Sequence, residues 1–475
     1  MHYSRPLRPC HRVVTRPGAG QLTVGDSPRP SRRGLLVGLT AASVGVIYGY
    51  DLSIIAGAQL FVTEDFGLTT RQQELLTTMV VIGQIAGALG AGVLANAIGR
   101  KKSMVLILIA YAMFALLGAL SVSLPMLLAA RLLLGLTIGV TVVVVPVYVA
   151  ESAPAAVRGA LLTTYQLTIV SGLILGYLTG YLLAGTHSWR WMLGLAAMPA
   201  TLLLPLVIRL PETARWYLLK GRVDDARVAL LRVEPDANVD EELAEIGRAL
   251  GEGSGGFAEM LRRPYLRATI FVIVLGFLIQ ITGINAIIYY SPRIFEAMGF
   301  KGNFALLALP ALVQVAGLAA VCAALLLVDR IGRRPILLSG IAMMIVADVV
   351  LLAVFSRGHL GGAGLVFGFA GVLLFIIGYT MGFGSLGWVY ASESFPTRLR
   401  SLGSSTMLTS NLVANAIVAA VFLTMLHSLG GAGTFTVFAV LAAIAFGFVY
   451  RYAPETKGRP LEDIRLFWEN GGRWP

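Results

Sequence analysis

An aspartate stands inside a long apolar run at Asp51, and an arginine stands inside another at Arg131. Ionisable groups in such runs are costly to keep in hydrocarbon and usually mark ion or proton pathways. The two runs travel in opposite directions, which puts both groups at similar depth and lets them pair. A structural pair is one reading. The other follows from elementary electrostatics: burial raises a carboxyl pKa and a nearby guanidinium lowers it. A helix movement that changes their separation can therefore load and release a proton.

Two further sets of polar residues could carry function. Glu151 with Arg158, and Glu393 with Arg400, repeat one Glu-x6-Arg spacing where apolar runs end, near Arg100 and Arg333. They read either as a solvated charged collar or as ion pairs that form and part. Gln166, Gln280, Asn285, Asn411 and Asn415 lie within apolar runs, as does Trp388. Amides both donate and accept, which suits hydroxyl-rich solutes, although each could equally be interhelical glue. The five histidines lie in tails or near run ends without ligand spacing, so no metal site is expected. No Walker motif appears, which leaves no ATP-driven mechanism. Loops are too short for an enzyme domain, and no cofactor is expected.

The elements that must position these groups are membrane helices. Hydrophobic residues make up 57% of the chain, charged residues 13%, and the mean hydropathy is +0.78. A water-soluble surface needs many more charges. Spans of roughly 20 apolar residues are expected near 35–57, 75–97, 104–123, 127–150, 160–184, 191–209, 268–291, 305–328, 335–355, 365–391, 401–427 and 433–452. Alternating ten-residue strands of a barrel are not seen. The net charge of +12 is concentrated before the first span and after the second, eighth and tenth. That is the positive-inside pattern with both termini cytoplasmic, and it argues against a nucleic-acid partner. Lipid is the expected surroundings. Cys10 and Cys322 give no disulfide framework, and the first span is too long for a signal-peptide core.

The expected organisation is a disordered basic tail over 1–33, a six-helix bundle over 34–211, a cytoplasmic linker over 212–267, a second bundle over 268–453 and a tail over 454–475. In the linker, Val223 to Leu231 and Glu241 to Leu250 have helical spacing before a hinge at Gly253 to Gly256.

The halves echo one another. Ala-Ile-Gly-Arg-Lys at Ala97–Lys101 recurs as Arg-Ile-Gly-Arg-Arg at Arg330–Arg334, and Val-Tyr-Val-Ala-Glu-Ser at Val147–Ser152 recurs as Val-Tyr-Ala-Ser-Glu-Ser at Val389–Ser394. With Gly49-Tyr50-Asp51, Pro211-Glu212-Thr213-Ala214-Arg215, Gly283-Ile284-Asn285, Tyr289-Tyr290 and Pro454-Glu455-Thr456, this ordered set resembles the sugar porters of the major facilitator superfamily. The resemblance covers Gly34 to Leu461. It implies an all-α integral membrane protein of twelve helices in two bundles that rock about a midplane site. It also implies a proton-coupled importer of a monosaccharide or polyol, sufficient as a monomer. Another small polar or amphipathic solute, or uncoupled sugar diffusion, remains an alternative. The resemblance assigns proton coupling to Asp51 and Arg131, and solute binding to Gln166, Gln280, Asn285, Tyr289, Trp388, Asn411 and Asn415. Arg100, Glu151, Arg158, Glu212, Arg215, Arg333, Glu393, Arg400 and Glu455 become an inner-gate charge network. Three positions depart from the family's hydroxyl-binding pattern: Ile279 for a Gln, Gly317 for an Asn and Leu412 for a Trp.

Overall fold

The computed structural model describes residues 31–154, 157–235, 238–251, 256–357, 362–459, 461–472 and 474. Nearly all of the expected N-terminal tail, and most of the glycine hinge, lie outside these residues.

Twelve helices among the described residues are long and apolar enough to cross a membrane. The first six are α1 (Arg32–Phe66), α2 (Thr70–Ile98), α3 (Arg100–Ala119), α4 (Leu124–Ser152), α5 (Arg158–Thr186) and α6 (Trp189–Ile208). The second six are α7 (Leu266–Met298), α8 (Phe304–Val328), α9 (Arg333–Ser356), α10 (Gly362–Glu393), α11 (Leu399–Ser428) and α12 (Gly430–Tyr452). Each expected span corresponds to one helix. Most extend beyond the apolar run, because backbone hydrogen bonding continues into polar residues at the membrane surface.

Helices of one bundle approach closely where side chains are small. A Cβ on Gly49 of α1 would sit 1.8 Å from the Ile169 carbonyl oxygen of α5. Only glycine permits that backbone contact, and it fixes the crossing that orients the next turn of α1, which carries Asp51. Regularity is lost where polar groups gather. Helix α7 breaks at Gly283, whose φ of +100° suits glycine, and kinks at Tyr290 ahead of Pro292. Helix α10 contains a π-helical turn at Thr380–Gly384.

The segment between the bundles forms helices Ala214–Leu219, Val223–Val233, Val239–Gly251 and Phe257–Met260. Ala214, Ala226, Ala229 and Leu243 make its small core, and the Trp216 indole donates to the Asn96 carbonyl at 3.1 Å. It therefore docks on the end of the molecule that carries the Gly-Arg turns, called here the basic end. The C-terminal segment is more than a tail: helix Leu461–Glu469 packs Trp468 on Phe271, ring centroids 5.0 Å apart.

The bundles are joined at the opposite, far end. Tyr177 of α5 donates its hydroxyl to the Ile288 carbonyl of α7 at 2.6 Å. Glu74 of α2 is fully buried and accepts from both the backbone N–H of Thr424, at 2.7 Å, and its hydroxyl, at 2.9 Å, on α11. Arg71, 3.3 Å from Glu74, donates to the Ala420 carbonyl at 2.8 Å. Ala420 and Thr424 are one helical turn apart, so α2 grips a single turn of α11. The expected second span started at residue 75 and left Glu74 outside; the helix starts at Thr70. Replacing Glu74 with Ala leaves two donors of α11 without their acceptor. Spin labels at Val122 and Leu429 on a cysteine-free chain should then report a longer, broader far-end distance. Glu296→Gln, which removes only an exposed pair with Arg293 of the same helix, should leave that distance unchanged.

Candidate functional site

Helices α1 and α4 bring Asp51 and Arg131 together deep in the first bundle. The guanidinium Nη1 lies 2.8 Å from Asp51 Oδ1, and each residue is 1% exposed. The second carboxylate oxygen, Oδ2, and the Arg131 Nε have no partner among the described residues. The pair is thus held by one contact and keeps unused capacity on both sides. Tyr111 of α3 is fully buried in the same bundle, its hydroxyl donating to the Ile47 carbonyl at 3.3 Å.

The expected solute-binding side chains lie in the second bundle, apart from Gln166. Gln280 Nε2 donates to Asn411 Oδ1 at 3.2 Å, joining α7 to α11. Asn415 Nδ2 donates to the Tyr289 hydroxyl at 3.3 Å. Four buried polar atoms in this region have no partner among the described residues: Gln280 Oε1, Asn285 Nδ2, Asn415 Oδ1 and the Tyr165 hydroxyl. Unpaired buried groups are expensive unless a ligand or water completes them. The break at Gly283 sets Asn285 at the start of the second half of α7. Trp388 is 40% exposed, which leaves an indole face available. Ile279 packs on α10 next to Trp388, its Cδ1 2.6 Å from where a Cβ on Gly387 would stand. Leu412 is buried as well.

At the basic end the two halves repeat one device. Gly99 and Gly332 take φ values of +104° and +110°, and each is followed by a helix start. Glu212 Oε1 accepts from the backbone N–H of Arg100 at 3.0 Å and of Lys101 at 3.1 Å. Glu455 accepts from the N–H groups of Arg333 and Arg334, both at 3.0 Å. These carboxylates satisfy donors that a helix N-terminus leaves open. Any side chain on Gly99 would collide with Glu212, whose Oε2 lies 2.2 Å from the Cβ position. Tyr148 and Tyr390 fasten the same motifs, donating to the carbonyls of Pro211 at 2.7 Å and Pro454 at 2.9 Å.

The remaining charged residues differ between halves. Glu151 accepts from Arg100 at 3.0 and 3.2 Å and from the Thr213 hydroxyl at 2.7 Å, with Arg215 at 3.9 Å. These contacts stay within the first bundle and its linker. Arg158 donates to the Ala153 carbonyl at 3.4 Å and acts on Glu242 of the linker. Burial, with Glu234 and Glu245 nearby, pushes the Glu242 carboxyl above its usual range, and Arg158 opposes that shift. In the second bundle Glu393 Oε2 and Arg400 Nε have no partner among the described residues.

Sequence reasoning passed over two buried acids. Glu74 is one. Asp348 of α9, 0% exposed with neither carboxylate oxygen bonded among the described residues, is the other. Asp348 carried the signal that singled out Asp51, an ionisable group inside an apolar span; Glu74 follows a polar run just outside the expected second span. Two depressions of about 400 and 690 Å³ open at the far-end surface, away from all the midplane groups.

The family description "Sugar (and other) transporter" matches residues 37–468. This chain belongs to that family. The galactose-proton symporter of Escherichia coli K12 is 36% identical over 426 residues, 89% of this chain and 92% of the relative. The arabinose-proton symporter of the same strain is 35% identical over 445 residues, 92% of this chain and 94% of the relative. A solved proton:xylose symporter of the major facilitator superfamily, bound to 6-bromo-6-deoxy-D-glucose, superposes with a TM-score of 0.78 over 93% of this chain and 100% of its own. At 24% identity that likeness shows the fold: two six-helix bundles, as the sequence resemblance implied.

For this transporter-family chain the buried pair gives a direct test. Removing one member of a buried ion pair strands the other, at a cost of ~3–5 kcal/mol, whereas removing both is often nearly neutral. Arg131→Met should therefore lower the melting temperature in detergent strongly. The double change Asp51→Asn with Arg131→Met should recover most of the loss, and a larger loss in the double variant would contradict the pairing.

Proposed function

We propose that this protein is a proton-coupled secondary transporter that imports a monosaccharide or related polyol by alternating access. The observation that carries the reading is the single-contact Asp51–Arg131 pair, with its second carboxylate oxygen unbonded. A proton can be taken up there when the arginine withdraws and expelled when it returns. The names of the galactose- and arabinose-proton symporters support both the proton and the solute class. An uncoupled facilitator has no use for a carboxylate at that depth.

The basic end is assigned to the cytoplasm of a plasma membrane, with both termini there, on the positive-inside rule. In that orientation the outer end is held shut by Glu74, Arg71 and Tyr177, and the ion pairs of Glu151 lie within one half. This arrangement fits an inward-facing carrier. In the outward-facing state, Glu151, Arg158, Arg215, Glu393 and Arg400 close across the two halves, with Arg100 and Arg333 framing them. Glu212 and Glu455 hold the helix starts against which that closure works. A monomer suffices, because both bundles come from one chain.

The amides of Gln166, Gln280, Asn285, Asn411 and Asn415, the Tyr289 hydroxyl and the Trp388 ring form the solute site. A second reading, another small polar or amphipathic solute, is favoured by one observation: Ile279 and Leu412 are buried apolar side chains where the resemblance implies a Gln and a Trp.

Asp51→Asn in proteoliposomes should abolish accumulation against a gradient while equilibrative exchange continues, because an amide carries no proton. Accumulation that survives would refute the coupling assignment. Arg158→Ala and Glu393→Gln should each increase labelling of cysteines placed in the basic-end vestibule, since the outward-facing state loses a contact. Unchanged labelling in both variants reduces these residues to topology markers.

A further inference from the structure

The departure at Gly317 leaves a gap in the pattern of hydroxyl-binding side chains, and the structure shows what borders it. A Cβ built on Gly317 of α8 would sit 3.7 Å from Gln314 Oε1 and 3.7 Å from Thr380 Oγ1, with Ile376 Cγ2 at 3.1 Å. Gln314 lies one helical turn before Gly317 and so shares its face of α8. Thr380 opens the π-helical turn of α10. Two polar side chains from different helices thus converge on the space beside the glycine.

Gln314 is only 5% exposed and makes no side-chain hydrogen bond among the described residues. Its amide atoms are nevertheless not fully enclosed. A long polar side chain that is nearly buried, unbonded and still open at its tip is matched to something that arrives there. Helix α8 packs across the bundle interface against α5, the helix that carries Gln166. Ala311, one turn before Gln314, clusters with Ala56 and Tyr177 of the first bundle, so Gln314 stands next to the seam between the halves.

We propose that Gln314, assisted by the Thr380 hydroxyl, is a solute-binding subsite that supplies from one turn away the amide that position 317 lacks. Its ligand class is a vicinal hydroxyl pair on a sugar or polyol: the amide donates to one oxygen and accepts from the other. Gly317 is part of the arrangement, because a larger side chain there would occupy the same space. This inference rests on the solute class proposed above and deepens it.

The test is isothermal titration of the purified full chain with D-galactose and L-arabinose, with melting temperature as a check on folding. One lost hydrogen bond is worth about 0.5–1.5 kcal/mol, so Gln314→Ala should weaken Kd roughly 2- to 13-fold at an unchanged melting temperature. Gln314→Gly combined with Gly317→Asn moves the amide by one turn and should bring Kd back to within about twofold of the unmodified chain. Unaltered Kd in Gln314→Ala, with Gln280→Ala losing affinity, overturns the subsite and leaves the proposed function standing. Absence of binding of either sugar by the unmodified chain overturns the solute class and the subsite together.

Discussion

A polar group inside a membrane span finds no water, and its partners must come from the protein itself. Most of this structure's specific contacts follow from that constraint. Asp51 and Arg131 sit in different helices, and each can be buried only because the other is there. Glu74 is tolerated because a neighbouring helix lends it a backbone N–H and a hydroxyl. Glu212 and Glu455 are consumed by the open N–H groups of two helix starts. Other buried polar atoms have no partner among the described residues, both oxygens of Asp348 among them. Asp51 Oδ2, Gln280 Oε1, Asn285 Nδ2 and Asn415 Oδ1 belong to the groups proposed above to receive the proton and the solute.

The halves share a scaffold and divide the work. The repeated glycine turn, carboxylate cap and tyrosine–proline fastening give each bundle a rigid basic end. What differs is inside. The first bundle contains the buried ion pair, and the second contains the broken α7, the π-turn of α10 and nearly all of the amides.

The contact between bundles is also unequal along its length. At the far end it is dense in hydrogen bonds and includes a buried carboxylate; at the basic end the bonds of Glu151 stay within the first half and its linker. An interface made strongly at one end can act as a pivot, provided its contacts can be exchanged for others of similar worth.

The twelve spans, the duplication and the family were legible in the sequence because they depend on composition and order alone: long apolar runs must be helices, and repeated motifs mark repeated turns. Asp51 and Arg131 were legible too, since a charge in an apolar run is conspicuous wherever the helix ends up. Glu74 was missed because hydropathy ends a span where polar residues begin, while hydrogen bonding carries the helix further. Whether Glu212 is a gate charge or a helix cap, which amides bond each other, and that Thr380 stands beside Gly317 could come only from the tertiary structure. Those are questions of which neighbours meet across helices distant in the chain, and a linear sequence does not contain those distances.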